Sequence, residues 1–307
     1  MATGVRSSDD RAARIAAVGF DPLEQPTAPV ERCNLCGGAH KVRVGERDRY
    51  GYAVALSVCA RCGLGFLDPR MTAEAYGAFY DGTYRPLVSA YHGRLIDAET
   101  VQQEQHGYAA EIVDWVATAL PRAPASLIDI GGSTGVIAGA FARAFGLRAT
   151  VLDPAPDELA VAAAAGMETI PGFAEDYDPG ERRFDLVLLC QTMDHLLDVR
   201  STLGAMRRMV ADDGAAFVDV LDVGFMLRRR GRIEGAVKVD HPFYLTRATG
   251  RAFLAQAGFA VAAERMSGDG HWGFLARAAE PVEPDWAALA AGADAFLADV
   301  WARRATG

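Results

Sequence analysis

Three constellations in this sequence combine residue types and spacings that suit chemistry. Four cysteines fall in two C-x-x-C pairs, Cys33 and Cys36 in "CNLCGG" and Cys59 and Cys62 in "CARCGLG", with 22 residues between the pairs. Each pair runs into glycine, as a metal-binding knuckle requires. Four thiolates make a closed tetrahedral zinc site, structural rather than catalytic. The second constellation is "SLIDIGGSTG", where Gly131, Gly132, Ser133 and Gly135 form a tight turn after an apolar run ending in Asp129 and Ile130. A glycine turn between a strand and a helix lets backbone approach a ligand, and the helix N-terminus adds N–H groups and a positive dipole end. Asp153, about twenty residues further on in "VLDP", stands where a carboxylate can take both hydroxyls of a ribose, and a ligand bearing a nucleoside or a carboxylate is expected at the turn. The third constellation is a pair of histidine segments, "TMDHLLD" with His195 and "KVDHPFYLT" with Asp240 and His241. An imidazole of ordinary pKa about 6.5 beside a carboxylate suits proton removal near neutral pH.

The elements that must position these residues follow from patterning. Residues 1–30 are polar and proline-bearing, and read as a leader or linker. Residues 31–70 alternate like short strands around the cysteine knuckles, which predicts a small zinc ribbon. Residues 71–122 carry helical patterns, with Thr72 and Asp97 as caps and Pro121 as a stop, and form a connecting layer that covers substrate. From 123 to 280, strand-like and helix-like segments alternate, the signature of an α/β, doubly wound, Rossmann-like parallel sheet of seven strands. Residues 281–307 complete the chain as one amphipathic helix. In such a sheet both histidine segments are expected at the carboxyl edge, where ligands bind.

The ordered set "LIDIGGSTG", "VLDP", "GFAED" and "FDLVLLCQTMDHLLD" resembles the class I S-adenosylmethionine (SAM) dependent methyltransferases over about residues 100–280. The spacing is not the dinucleotide G-x-G-x-x-G, because Ser133 stands where a second alternating glycine would be. The resemblance implies that Gly131, Gly132, Ser133 and Gly135 line the methionine and ribose portion of SAM, while Asp153 takes the ribose hydroxyls. It places Ala174 and Glu175 beside adenine, Cys190 and Gln191 along the cofactor wall, and Asp129 at the amino end through the turn. The ribbon, the stretch "CGLGFLDPR" (Cys62 to Arg70) and the tyrosine-rich helix after it are similar to the sugar C-methyltransferases of deoxysugar biosynthesis, with one helix in place of their C-terminal domain. That likeness implies an acid–histidine pair, matched by Asp240 and His241, with Lys238 where those enzymes often carry tyrosine. It implies His241 as general base oriented by Asp240 for C-methylation beside a ketone, with His195, Tyr80 or Tyr84 holding the acceptor oxygen. Arg228, Arg229, Arg230 and Arg232 form either a grip for a nucleotide diphosphate or a solvated charged loop.

Composition bounds the alternatives. With 307 residues, half of them hydrophobic, and a net charge of −9, the chain is a globular protein without the dense basic face that nucleic acid demands. No run approaches the roughly 20 apolar residues of a membrane span, and no signal peptide is evident, so a cytoplasmic protein is expected. The partner expected is a small-molecule acceptor, a nucleotide-linked sugar or natural-product intermediate, methylated on carbon, oxygen or nitrogen. An RNA methyltransferase using the ribbon, and a catalytically silent SAM-fold interaction protein, are the other classes. Oligomeric state is open.

Overall fold

The computed structural model describes residues 4–305. The outermost ends of the expected leader (1–3) and C-terminal helix (306–307) lie outside the described residues. In chain order, helix α1 (Gly4–Ala16) precedes the strands β1 (Thr27–Ala28), β2 (Lys41–Arg47), β3 (Ala53–Cys59), β4 (Gly65–Leu67) and β5 (Arg70–Met71). Helices α2 (Ala73–Gly82), α3 (Tyr84–His92) and α4 (Ala98–Ala119) follow. Then strand and helix alternate: β6 (Ser126–Ile130), α5 (Val136–Phe145), β7 (Arg148–Asp153), α6 (Pro156–Ala164), β8 (Glu168–Pro171), β9 (Phe184–Leu189), α7 (Val199–Met209) and β10 (Val210–Leu221). The remainder comprises α8 (Val223–Arg230), β11 (Phe243–Tyr244), α9 (Arg247–Gln256), β12 (Phe259–Met266), β13 (His271–Ala278) and α10 (Trp286–Ala305). No helix among the described residues is long and apolar enough to cross a membrane. The chain divides into two compact units, neither continuous in sequence: unit 1 takes residues up to Val101, Val223–Tyr244 and from Trp286 onward, and unit 2 takes Gln102–Asp222 and Leu245–Asp285.

Unit 2 holds a seven-stranded sheet in the order β12-β13-β10-β9-β6-β7-β8. The five strands from β8 to β10 pair in parallel, and β13 runs antiparallel to both β10 and β12. From β6 the chain first adds β7 and β8 on one side, then returns to add β9 and β10 on the other. Right-handed crossovers therefore put α5 and α6 on one face and α7 on the opposite one. The central strands are nearly unbroken apolar runs because both faces are covered, with Leu127, Ile128, Val151, Leu186 and Leu188 fully buried. Residues at helical spacing, Ile112 and Val116 from α4 and Ile137 and Phe141 from α5, pack in one core with Leu127, Val151 and Leu186. Helix α9 starts at a capping box in which Thr246 and Thr249 satisfy each other's backbone N–H groups.

Unit 1 is built on a four-stranded antiparallel sheet of order β11-β4-β3-β2. Strand β11 joins it through Phe243 opposite Phe66 and Tyr244 opposite Gly65. Gly65 is required there, since a Cβ on it would lie 2.9 Å from the Tyr244 Cβ. Thr72 caps α2 by accepting from the Ala75 N–H at 3.3 Å, and the Asp97 carboxylate accepts from Thr100 at 2.9 Å at the start of α4, as the patterning predicts. The expected parallel-sheet domain over 123–280 differs in beginning at Gln102, in its antiparallel β13 and in losing residues 223–244 to unit 1. Residues 223–244 leave the sheet after β10 and return at α9, and between those points they cluster with the ribbon because β11 hydrogen-bonds to its edge strand. By this division Asp240 and His241 are counted in unit 1.

The fully buried Phe141 gives a direct check of the unit 2 core. Phe141→Ala is expected to cost about 3–5 kcal/mol, read as a lowered denaturant midpoint.

Candidate active site

In unit 2 the turn after β6 is shaped by close packing. Gly131 sits at φ +68°, and a Cβ there would lie 2.9 Å from Thr192 Cγ2, while a Cβ on Gly132 would lie 2.8 Å from the Asp129 carboxyl carbon. Neither position tolerates a side chain. The Gly131 N–H extends the ladder to Leu152 O at 2.8 Å, and the turn closes through Gly135 N–H to Gly132 O at 2.9 Å. Gly135, at φ +75°, then caps α5. Ser133 and Gln191 hold φ of 50°, uncommon for non-glycine residues, and they stand at the ends of the two neighbouring strands β6 and β9. Such strain, of order 1–3 kcal/mol each, persists only where surrounding structure enforces it.

Asp153 ends β7 beside this turn. Its carboxylate accepts from Ser133 N–H and from Ala155 N–H, both at 2.9 Å. The Ser133 hydroxyl donates to Glu158 at 2.9 Å. Burial raises the Asp153 carboxyl above its usual range against those two donors. Asp129 is 1% exposed, and neither of its oxygens has a hydrogen-bond partner meeting ordinary geometry among the described residues. Burial first, then the charge of Asp153, push it up to about 7. In the adenine-side loop Ala174 is buried, whereas Glu175 is exposed and its carboxylate is tied to the Thr202 hydroxyl of α7. Cys190 is buried at the end of β9, its thiol raised by burial and by the charges of Asp129 and Asp219.

Residues that the sequence reading missed complete this edge. Asp219 of β10, 2% exposed, accepts from Gln191 N–H at 2.6 Å and from the Tyr108 hydroxyl at 2.8 Å. Burial outweighs those bonds and raises its carboxyl. A lone acid inside the apolar run "AAFVDVL" was the available signal. His271, at the start of β13, lies 3.0 Å from Asp269. Burial opposes its imidazolium, but Asp269 and the charges of Asp219 and Asp194 prevail and raise it. His195 is half-buried, with Nε2 4.0 Å from Asp194.

Unit 1 carries the other predicted residues. Asp240 is fully buried and His241 is 3% exposed. Their contact is 3.6 Å, from Asp240 Oδ2 to His241 Nε2, beyond hydrogen-bond distance. The closer neighbour of Nε2 is Lys238 Nζ at 2.8 Å, so the residue standing where tyrosine was expected engages the ring nitrogen facing Asp240. Tyr80 donates to Asp240 O at 3.1 Å, and the Tyr84 ring packs against that of Tyr80 at 5.3 Å between centroids, tilted by 57°. Buried Asp48, which the sequence reading also missed, clamps this segment to the ribbon by accepting from the N–H groups of Tyr50, Tyr52 and Val239. Arg228, Arg229, Arg230 and Arg232 are exposed, the first three in the last turn of α8.

The four cysteines converge, with all Sγ atoms within 4.8 Å of one another. The two knuckles repeat one backbone pattern: Gly37 N–H to Cys33 O and Gly63 N–H to Cys59 O, both 2.9 Å, with Cys33 N–H to Gly38 O and Cys59 N–H to Leu64 O also 2.9 Å. Gly37 and Gly63 take φ of +70° and +76°. The Gly38 N–H also points at Cys36 Sγ, at 3.4 Å. Four converging thiols with backbone donors form a set that could hold a soft tetrahedral cation.

The strand order and the glycine turn of unit 2 define a mixed α/β methyltransferase fold. A Methyltransferase domain family model matches residues 103–264, more than half of the chain, and the chain belongs to that family. Unit 2 is accordingly a SAM-dependent methyltransferase domain. Among similar proteins, a ubiquinone biosynthesis O-methyltransferase of Methylobacterium sp. is 35% identical over 111 residues, 33% of this chain and 43% of that protein. Its namesake from Xanthomonas oryzae pv. oryzae is 26% identical over 158 residues, 49% of this chain and 65% of that protein. The chain thus spans less than two thirds of either relative. The crystal structure of a Pyrococcus horikoshii OT3 protein shares the fold at a TM-score of 0.50 and 16% identity, covering 57% of this chain and 92% of that one.

Asp129 supplies a pH-dependent test. Its folded value of about 7 exceeds the ordinary 3.8, so the folded chain retains a proton that the unfolded chain has lost. Stability is thereby lost as pH rises through that window and stays reduced above it. Asp129→Asn removes this loss, and urea midpoints should show the variant gaining on the wild type from about pH 4 to 7, then holding a constant difference.

Proposed function

We propose that the protein transfers the methyl group of SAM to a small-molecule acceptor, first of all to a hydroxyl oxygen. The observation that carries this reading is the ligand-ready edge of unit 2: a glycine turn with no room for side chains, beside a strand-end acid, within the span that matches the methyltransferase family. The printed name of the relatives, O-methyltransferases of ubiquinone biosynthesis, supports oxygen as the acceptor atom. Gly131, Gly132, Ser133 and Gly135 would line the methionine and ribose portion, and Asp153 would exchange its bond from Ser133 for the ribose hydroxyls. Asp129 would receive the amino end through the turn, a cationic group being what a buried carboxyl without a good partner lacks. Ala174 would border adenine, with Glu175 contributing its backbone, and Cys190 and Gln191 would close the wall.

When bound, SAM supplies an electrophilic methyl on a cationic sulfur. The protein must hold the acceptor in line with that methyl, and this positioning provides much of the acceleration. It must also remove one proton. His241 is the assigned acceptor of that proton, and its Nε2 has Lys238 Nζ at 2.8 Å and the Asp240 carboxylate at 3.6 Å as neighbours. Tyr80 and Tyr84 would present hydroxyls to the acceptor oxygen. A second reading, C-methylation beside a ketone of a nucleotide-linked sugar, is favoured by the four-cysteine cluster followed by "CGLGFLDPR".

Incubating the protein with labelled SAM and panels of phenolic and nucleotide-sugar acceptors, with mass spectrometry of the products, tests the reading. Methylation of neither panel would overturn it. His241→Ala is expected to lower turnover by at least about a hundredfold while the affinity for the demethylated cofactor changes less than about twofold. Unchanged turnover removes the assigned base.

Cys33, Cys36, Cys59 and Cys62 would hold a structural zinc ion, which ties the two knuckles together and contributes folding energy. Elemental analysis of purified protein should give one zinc per chain. Chelation should lower the thermal midpoint, and Cys36→Ser should lose the metal.

A further inference from the structure

Unit 1 contains a cavity of about 430 Å³, large enough for a small-molecule ligand, whose lining includes Arg43, Arg47, Arg70, Glu46, Tyr76 and Val239. Arg43 and Arg47 both lie on β2, and Gly45 between them contributes no side chain. Their guanidinium groups are held by neutral acceptors: Arg43 donates to Asp68 O at 3.4 Å and Arg47 to Gly51 O at 3.0 Å. The Arg70 guanidinium lies 5.2 Å from the centre of the Phe243 ring. The neighbouring Asp68 carboxylate is already occupied by Lys41 and by the Val30 N–H. Glu46 is the single carboxylate in the lining, against three arginines.

We propose that this cavity is an anion site for a phosphoryl or diphosphoryl group carried by the methyl acceptor. A planar guanidinium offers paired N–H donors that match phosphate oxygens, and three arginines lining one cavity with a single carboxylate favour a polyanion over a neutral ligand. The floor is continuous with the segment bearing the assigned base: the Tyr76 hydroxyl donates to Val239 O at 3.4 Å, and Val239 is two residues before His241. The arginines at 228–230 and 232, the other candidates for a phosphate grip, are exposed and are not among the residues lining this cavity. The role as an acceptor subsite rests on the proposed methyl transfer, whereas the anion affinity does not.

The test is calorimetric titration of the full-length, zinc-loaded protein with inorganic pyrophosphate and with uridine diphosphate. Wild type is expected to bind both, more weakly as salt rises. The Arg43→Ala/Arg47→Ala double variant should bind at least about tenfold more weakly, Arg43→Lys/Arg47→Lys should fall between, and Arg228→Ala/Arg229→Ala should change less than about twofold. Zinc content and affinity for the demethylated cofactor report folding of each variant. No binding of either probe at millimolar concentration, or equal binding by wild type and the double alanine variant, overturns the site. Because the readout is binding, pyrophosphate affinity that depends on Arg43 and Arg47 establishes the site even if no acceptor is methylated. Conversely, methylation of an uncharged acceptor without pyrophosphate binding removes the site and leaves the proposed function standing.

Discussion

The constraint on which unit 2 depends is the position of β6 between two parallel partners. Asp129 sits opposite Val151 of β7 and Leu188 of β9 in the same register, so the carboxyl ends of three strands open side by side. Parallel ladders of this kind point every strand's carboxyl end the same way, and reversal of the strand order at β6 separates the crossover helices onto opposite faces. The crevice that results is bordered by the turn at 131–135, by Asp153 and by Cys190 and Gln191. Those residues are scattered over sixty positions of sequence, and only the ladder brings them to one edge.

Burial gives this edge its electrostatic character. Asp129, Asp153 and Asp219 are all removed from water, and in each the cost of desolvating a carboxylate is the largest influence on its protonation. They are compensated differently. Asp219 and Asp153 accept short bonds from backbone or tyrosine donors, whereas Asp129 faces the underside of a glycine backbone that can hardly relax. Buried acids in this condition raise the free energy of the empty protein and favour a cationic ligand.

Unit 1 shows the same economy by other means. Its strands are short, and much of its organisation comes from polar clamps: Asp48 under three N–H groups, and Tyr244 bonded to both backbone groups of Lys238. The cysteine knuckles repeat one turn twice, and the glycines following each pair permit the left-handed backbone that turn needs. Through these clamps the segment 238–241 is held against the ribbon, so the assigned base is positioned by residues nearly two hundred positions earlier in the chain.

The local pattern carried a great deal. Unbroken apolar runs announced the buried parallel strands, glycine spacing located the turn after β6, Thr72, Asp97 and Asp153 were legible at element ends, and the paired C-x-x-C knuckles marked the four-thiol cluster. These depend on interactions within a few residues, which is why composition and spacing reveal them. The destination of residues 223–244 was not legible, because a two-residue strand has too little periodicity to announce its partner and β11 chose the ribbon edge. Tyr108 beneath Asp219 and the arginine-lined cavity likewise depend on contacts between distant segments. Sequence by itself determined most element types of unit 2, the sheet class and the residues able to do chemistry, though it read residues 4–16 as linker where they form α1 and the arginines at 228–230 as loop where they end α8; tertiary structure decided which of them meet, because the free energy of burying a charge or closing a sheet edge depends on the partner that packing delivers.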